Sequence, residues 1–156
     1  MEFVDDQIAF GSSEDARNTE LLKENKITAL LNVAEDLNLD VQNYLLEQKV
    51  GLVAGHGNSM ETFEKAVLIG KLMAENSQKV MVYCHEGRDR SPLVAIAIVS
   101  LLEDVSFGEK YKSSSDKFNG HIGFASDEAE EALLVLAESW DKNKDFREKL
   151  AKLELI

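Results

Sequence analysis

The stretch "KVMVYCHEGRDRSPLVAIAIVSLL", residues 79–102, decides the fold. It opens on a short run of apolar and aromatic residues, 80–83, that leads straight into Cys84, the only cysteine of the chain. A polar segment with two arginines follows, then Ser91-Pro92, then an apolar run to residue 102. A short valine-rich run with polar ends reads as a buried strand, and a long run that is apolar all round reads as a central helix. The unit is strand, tight turn, helix. Cys84 sits at the carboxyl end of the strand and Pro92 suits the first position of the helix.

The same alternation continues outward. Residues 6–10, 27–33 and 50–54 are further strand candidates. Residues 59–76 form an amphipathic helix that Ser59 caps, with Phe63, Val67, Gly70 and Met73 on one face. Helices are also expected over 12–26 (capped by Ser12 or Ser13), over 39–49 with Val41, Leu45 and Leu46 on one side, over 126–140 with Ser126 as cap, and over 143–155. Residues 106–118 give no clear signal. Trp140 reads as core packing of a C-terminal helix. Strands that are continuous apolar runs, alternating with helices, predict an α/β domain with a mainly parallel central sheet and helices on both faces. No repeat, linker or low-complexity segment divides residues 1–156, so one domain is expected. In such sheets ligands bind beyond the carboxyl ends of the strands, which is where Cys84 lies.

Composition narrows the function. The formal net charge of −12 argues against nucleic-acid binding, which rests on Lys and Arg meeting phosphates. It also disfavours an anionic membrane surface. A local basic pocket still works, because charges are screened over about 8 Å at physiological salt. No apolar run is long enough to span a bilayer, and the acidic start "MEFVDDQ" does not read as a signal peptide. A single cysteine suits a reducing compartment, so cytoplasmic residence is the expectation.

In "CHEGRDRSP" the backbone N–H groups between strand and helix have no regular partners. Curled into a cradle, the amides of His85, Glu86, Gly87, Arg88, Asp89 and Arg90 would converge on an anion. Gly87 gives the turn its freedom, and Arg90 offers two parallel donors to a phosphate. In such surroundings a thiol falls from about 8.5 to roughly 3.5–7.5 in pKa, so Cys84 would be a nucleophilic thiolate. The carboxylates of Glu86 and Asp89 are expected to turn outward, Asp89 bracing an arginine. The alternative is structural: a lone cysteine closing a strand is often a small core hydrophobe, and an arginine near a helix start is often a surface charge. The combination of Cys84, Gly87, Arg90 and Ser91 between an apolar strand and an apolar helix favours the chemical reading.

"VYCHEGRDRSP" resembles the Cys-x5-Arg-Ser/Thr loop of the protein tyrosine phosphatase superfamily. "IAFGSSEDARNTELLKENKITALLNVAED" is similar to the opening of its small dual-specificity branch, and together the likeness spans about residues 5–140. The resemblance implies a dual-specificity phosphatase-like fold with a shallow pocket and no cofactor. It implies Cys84 as nucleophile, Arg90 as the phosphate and transition-state contact, and Ser91 as an aid to the leaving thiolate. The expected substrate is a phosphorylated protein or a small phosphomonoester. The family commonly has His before the cysteine; here Tyr83 stands there, and reads as a core residue. A rhodanese-like or arsenate-handling enzyme also uses a cysteine loop, but Arg90 followed by Ser-Pro argues against it.

The family's general acid is an aspartate on a neighbouring loop. Ala54, thirty residues before Cys84 in "VGLVAGHGN", holds its place and cannot carry a proton. Losing a general acid typically costs about 10²–10⁴-fold in rate. Three origins fit: an engineered Asp-to-Ala change, another acid (His56 or Glu61, otherwise a loop residue and a first-turn charge), or a phosphate-binding module that has lost catalysis. Asp36 and Asp40 lie too far upstream and read as solvated turn residues. Arg88 is either a surface charge or an extra anion contact. The second role is known in superfamily members acting on phosphoinositides, so a lipid headgroup or sugar phosphate is the alternative substrate. His85 reads as a surface or supporting group. His56, His85 and His121 with one cysteine make no zinc spacing, so no metal is expected. The loop of Asn119, Gly120 and His121 can approach the site.

Overall fold

The computed structural model describes residues 1–38, 45–118 and 127–143. The strands are β1 (Glu2–Phe3), β2 (Ile8–Gly11), β3 (Ala29–Ala34), β4 (Leu46–Leu52) and β5 (Val80–Tyr83). The helices are α1 (Ser13–Arg17), α2 (Thr19–Glu24), α3 (Met60–Glu75), α4 (Arg90–Leu102), α5 (Phe107–Lys117) and α6 (Asp127–Lys142). The strands form one sheet in the order β1-β2-β5-β3-β4. Only β1 runs antiparallel, paired with β2. The pairs β2–β5, β5–β3 and β3–β4 are parallel. The expected mainly parallel α/β architecture is what the chain adopts.

Side chains alternate faces along a strand. Every residue of β2, β3 and β5 is nevertheless buried, so both faces of the sheet are covered. Helices α3, α4, α5 and α6 pack on one another, while α1 and α2 pair with each other and α1 leans on β5. Helix α4 is the axle of that larger layer, buried from Arg90 to Ser100. Its apolar sequence thus follows from its position. Trp140 of α6 is fully buried and meets Phe63 of α3 edge to face at 5.6 Å.

Several elements differ from the sequence-based expectation. The helix expected over 12–26 breaks at Asn18, whose side chain accepts from Leu21 N and starts α2 anew. Ser12 and Asp15 cap α1 reciprocally. The helix expected over 39–49 gives way to β4, which begins at Leu46 and ends at Leu52. Glu47, Gln48 and Lys49 are polar because β4 is an edge strand, and that hid it. Residues 39–44 with Asp40, the cap Ser126, the loop 119–121 and the segment 144–156 lie outside the described residues. Helix α4 starts at Arg90 with Asp89 as its cap, so Pro92 stands at the third helical position rather than the first. Residues 107–117, which gave no clear signal, are α5.

The strand order puts β5 at the centre, flanked by β2 and β3. The turn 84–89 therefore leaves the sheet between two neighbours, and each supplies part of its support.

Candidate active site

Cys84 follows β5 and is fully buried, yet its surroundings are polar. Ser91 Oγ lies 3.3 Å from its Sγ and Asp89 Oδ1 lies 3.9 Å away. Ser91 Oγ also donates to Gly11 O at 3.1 Å. A hydroxyl has one proton and here two acceptors. It can shift that proton from the carbonyl to the sulfur when the sulfur carries charge.

The turn is built against the end of β2. Cys84 N donates to Gly11 O at 3.3 Å, and both Ser13 N (3.1 Å) and Ser13 Oγ (3.2 Å) donate to His85 O. Gly87 has φ +74°, and a Cβ there would lie 2.7 Å from the backbone carbon of Gly11. Only glycine fits on both counts. Among the described residues, none of the N–H groups of residues 85–89 meets an acceptor. A loop of unpaired amides at the start of a long helix is an anion-binding arrangement.

Arg90 reaches across the site. Its Nη1 donates to Asp36 Oδ1 and to Leu52 O, each at 2.9 Å. Its Nε is buried and has no acceptor among the described residues. The contact with Leu52 anchors the base of the loop that carries Ala54, two residues on. That loop turns through Gly55 and Gly57, both at positive φ, and Asn58 braces it by bonding to the N–H (2.8 Å) and carbonyl (2.7 Å) of Val53. Ala54 is exposed on this loop, two residues beyond the carbonyl that Arg90 binds.

Asp36, set aside in the sequence as a solvated turn residue, belongs to this constellation. Asn32 Nδ2 donates to Leu37 O at 2.7 Å, and Lys49 Nζ donates to Glu35 O, Leu37 O and Asn38 Oδ1. These bonds fix the turn after β3 and hold Asp36 over the site. Its other oxygen lies 3.1 Å from His85 Nε2. The hydrogen bond from Arg90 holds the Asp36 carboxyl below the usual carboxylate range, against a smaller opposing effect of burial.

Asp89 also departs from expectation. Glu86 is exposed, but the Asp89 carboxylate turns inward, 8% exposed. It accepts from Arg90 N at 2.6 Å. It caps the backbone of α4 instead of bracing an arginine side chain, because an aspartate just before a helix satisfies an otherwise orphaned amide. Tyr83 donates to Glu47 Oε1 on β4. Burial, then that carboxylate, push its phenol up, and it stays a neutral core residue facing away from the thiol. Arg88 is exposed and shares a cavity of about 190 Å³ with Gly11, Ser12 and Asp15.

The structure therefore brings together Cys84, Asp89, Arg90, Ser91 and the amides of 85–89, and adds Asp36. It does not bring in His56 or Glu61. His56 lines a groove of about 640 Å³ against Val135 and Leu136 of α6, and Glu61 is exposed on the first turn of α3. Among the described residues no hydrogen bond or ion pair links either to residues 84–91. Among the described residues no group of three or more His, Cys, Asp or Glu side chains is arranged to hold a metal ion, and none of their helices is long and apolar enough to cross a membrane.

The chain matches no family model and no curated protein by sequence. Its fold does match solved structures. Human DUSP28 superposes with a TM-score of 0.78 at 14% identity, over 93% of this chain and 98% of that one. DUSP15 gives 0.77 at 14% identity, over 97% and 95%. PTPMT1 in complex with PI(5)P gives 0.63 at 16% identity, over 97% and 96%. The fold is that of the dual-specificity phosphatases.

Proposed function

We propose that the chain is a cysteine-dependent phosphatase acting on phosphomonoesters through a phosphocysteine intermediate, and that it is slowed by Ala54. The observation that carries this reading is a cysteine at the head of a turn of unpaired amides, with Ser91 Oγ 3.3 Å from its Sγ and with Arg90 Nε buried and lacking an acceptor among the described residues. In the first step the Cys84 thiolate attacks phosphorus in line, the S–P bond forms, and the P–O bond to the leaving group breaks. The amides of 85–89 and the Arg90 guanidinium hold the equatorial oxygens, where charge gathers in the transition state. Asp89 takes up Arg90 N as the cap of α4, which leaves the amides of 85–89 for the anion. In the second step water attacks phosphorus, and the thiolate leaves with a hydrogen bond from Ser91. The fold likeness to dual-specificity phosphatases supports a phosphorylated protein as substrate. A lone free cysteine supports residence in the cytoplasm. No resident cofactor is needed.

The reading is tested with an aryl phosphate. Cys84→Ser should abolish turnover, and acid quenching of the parent protein should trap one phosphate per chain on Cys84. Binding of phosphate without any covalent adduct would sink the enzyme reading and leave an anion-binding module. Ala54→Asp should raise turnover of phenyl phosphate by up to about 10²–10⁴-fold, the usual worth of a general acid.

A second reading keeps the chemistry and changes the substrate to a phosphoinositide or sugar phosphate. Exposed Arg88, beside the cradle, and the likeness to the PI(5)P-bound PTPMT1 favour it. A substrate panel on the Ala54→Asp form separates the two.

A further inference from the structure

With Ala54 in the acid position, the leaving oxygen needs another proton source, and the structure holds one at the rim. His85 directly follows the nucleophile. Its backbone is fixed from α1, because Ser13 binds the His85 carbonyl through both N and Oγ. Its ring is 42% exposed, and Nε2 lies 3.1 Å from Asp36 Oδ2. The same carboxylate holds Arg90 through its other oxygen at 2.9 Å. One carboxylate thus fixes both the phosphate-binding arginine and an imidazole at the mouth of the same cradle. Nδ1 of His85 has no partner among the described residues. A histidine whose one nitrogen is engaged by a carboxylate is oriented, and its other nitrogen is free to give or take a proton.

We infer that His85, oriented by Asp36, is the proton donor that stands in for the missing acid at position 54. This rests on the phosphatase reading above. As the P–O bond breaks, its electron pair goes to the leaving oxygen, which takes the proton from His85 Nδ1. The S–P bond forms at the same centre. In hydrolysis, water adds its oxygen to phosphorus and gives a proton to Nδ1, while the S–P pair returns to Cys84. The histidine and the thiolate are both regenerated. Asp36 is a positioning residue here; Arg90 is the other charged group it holds.

The test compares leaving groups of different basicity in the full chain. A phenolate needs a proton to depart, and a dinitrophenolate scarcely does. His85→Gln should therefore cost on the order of 100-fold in kcat/KM with phenyl phosphate and far less with 2,4-dinitrophenyl phosphate, steepening the dependence on leaving-group basicity. In the Ala54→Asp background the His85→Gln loss with phenyl phosphate should shrink, because the aspartate takes over the proton. Equal losses on both esters, or an undiminished loss in the Ala54→Asp background, would overturn the inference. If Cys84→Ser still turned the esters over, the phosphatase reading itself would fall, and this inference with it.

Discussion

Asp36 shows how much a single side chain outside the contiguous motif contributes. Its carboxylate is 64% exposed but is held by a buried guanidinium, and that bond depresses its titration. A carboxyl depressed in the folded state adds stability at pH values above its ordinary 3.8 and loses it as pH falls through the depressed value. Exposure and screening keep the contribution to at most about 1 kcal/mol. Asp36→Asn should therefore lower the unfolding free energy modestly at neutral pH, and the gap to the parent should close in strong acid. Urea unfolding at the two pH values measures this; a gap unchanged by pH would contradict it. The residues of the turn itself were legible because a turn between β5 and α4 is contiguous, so Cys84, Gly87, Arg90 and Ser91 announce themselves by spacing alone. Asp36 was not, because its place depends on Asn32 and Lys49 folding the turn after β3. The direction of the Asp89 carboxylate was not legible either: outward and inward rotamers share one sequence, and the open amide of Arg90 selects the inward one.

At the level of elements, helices α2, α3 and α4 end alike. Each is followed by a residue in the left-handed region, Lys26 (φ 58°), Ser77 (φ 62°) and Asp104 (φ 55°). In each the next two amides fold back onto the last turn. After α3, for example, Ser77 N donates to Ala74 O and Gln78 N to Met73 O, both at 3.1 Å. This is the helix-ending motif that glycine usually completes. A residue with a Cβ is strained there by about 1–2 kcal/mol. Ser77→Gly should raise stability by about 0.5–1 kcal/mol once the added freedom of the unfolded chain is subtracted. Thermal unfolding checks it, and a loss would show that the exposed serine serves another purpose. Without glycine at these positions the helix ends carried little signal, just as the polar edge strand β4 carried little signal for a strand. The central strands and α4, buried on all sides, read clearly because burial leaves only apolar choices.

Over the whole molecule, α6 reports on cohesion. It packs on α3, α4 and α5, and it carries the only tryptophan. Trp140 emission should shift to the red in the same denaturant transition that removes the far-ultraviolet helix signal, as in a two-state domain. Two separate transitions would mean that α6 detaches before the sheet opens. The overall acidity of −12 leaves the basic groups of the cradle as a local exception, which suits a small dianion more than a large polyanion.

Gly87 rests against Gly11 and Ser12 so closely that no side chain fits between them. The two corners are in effect one part: transplanting the cysteine turn onto a foreign scaffold without the corner that ends β2 would leave a loop with nothing to close upon.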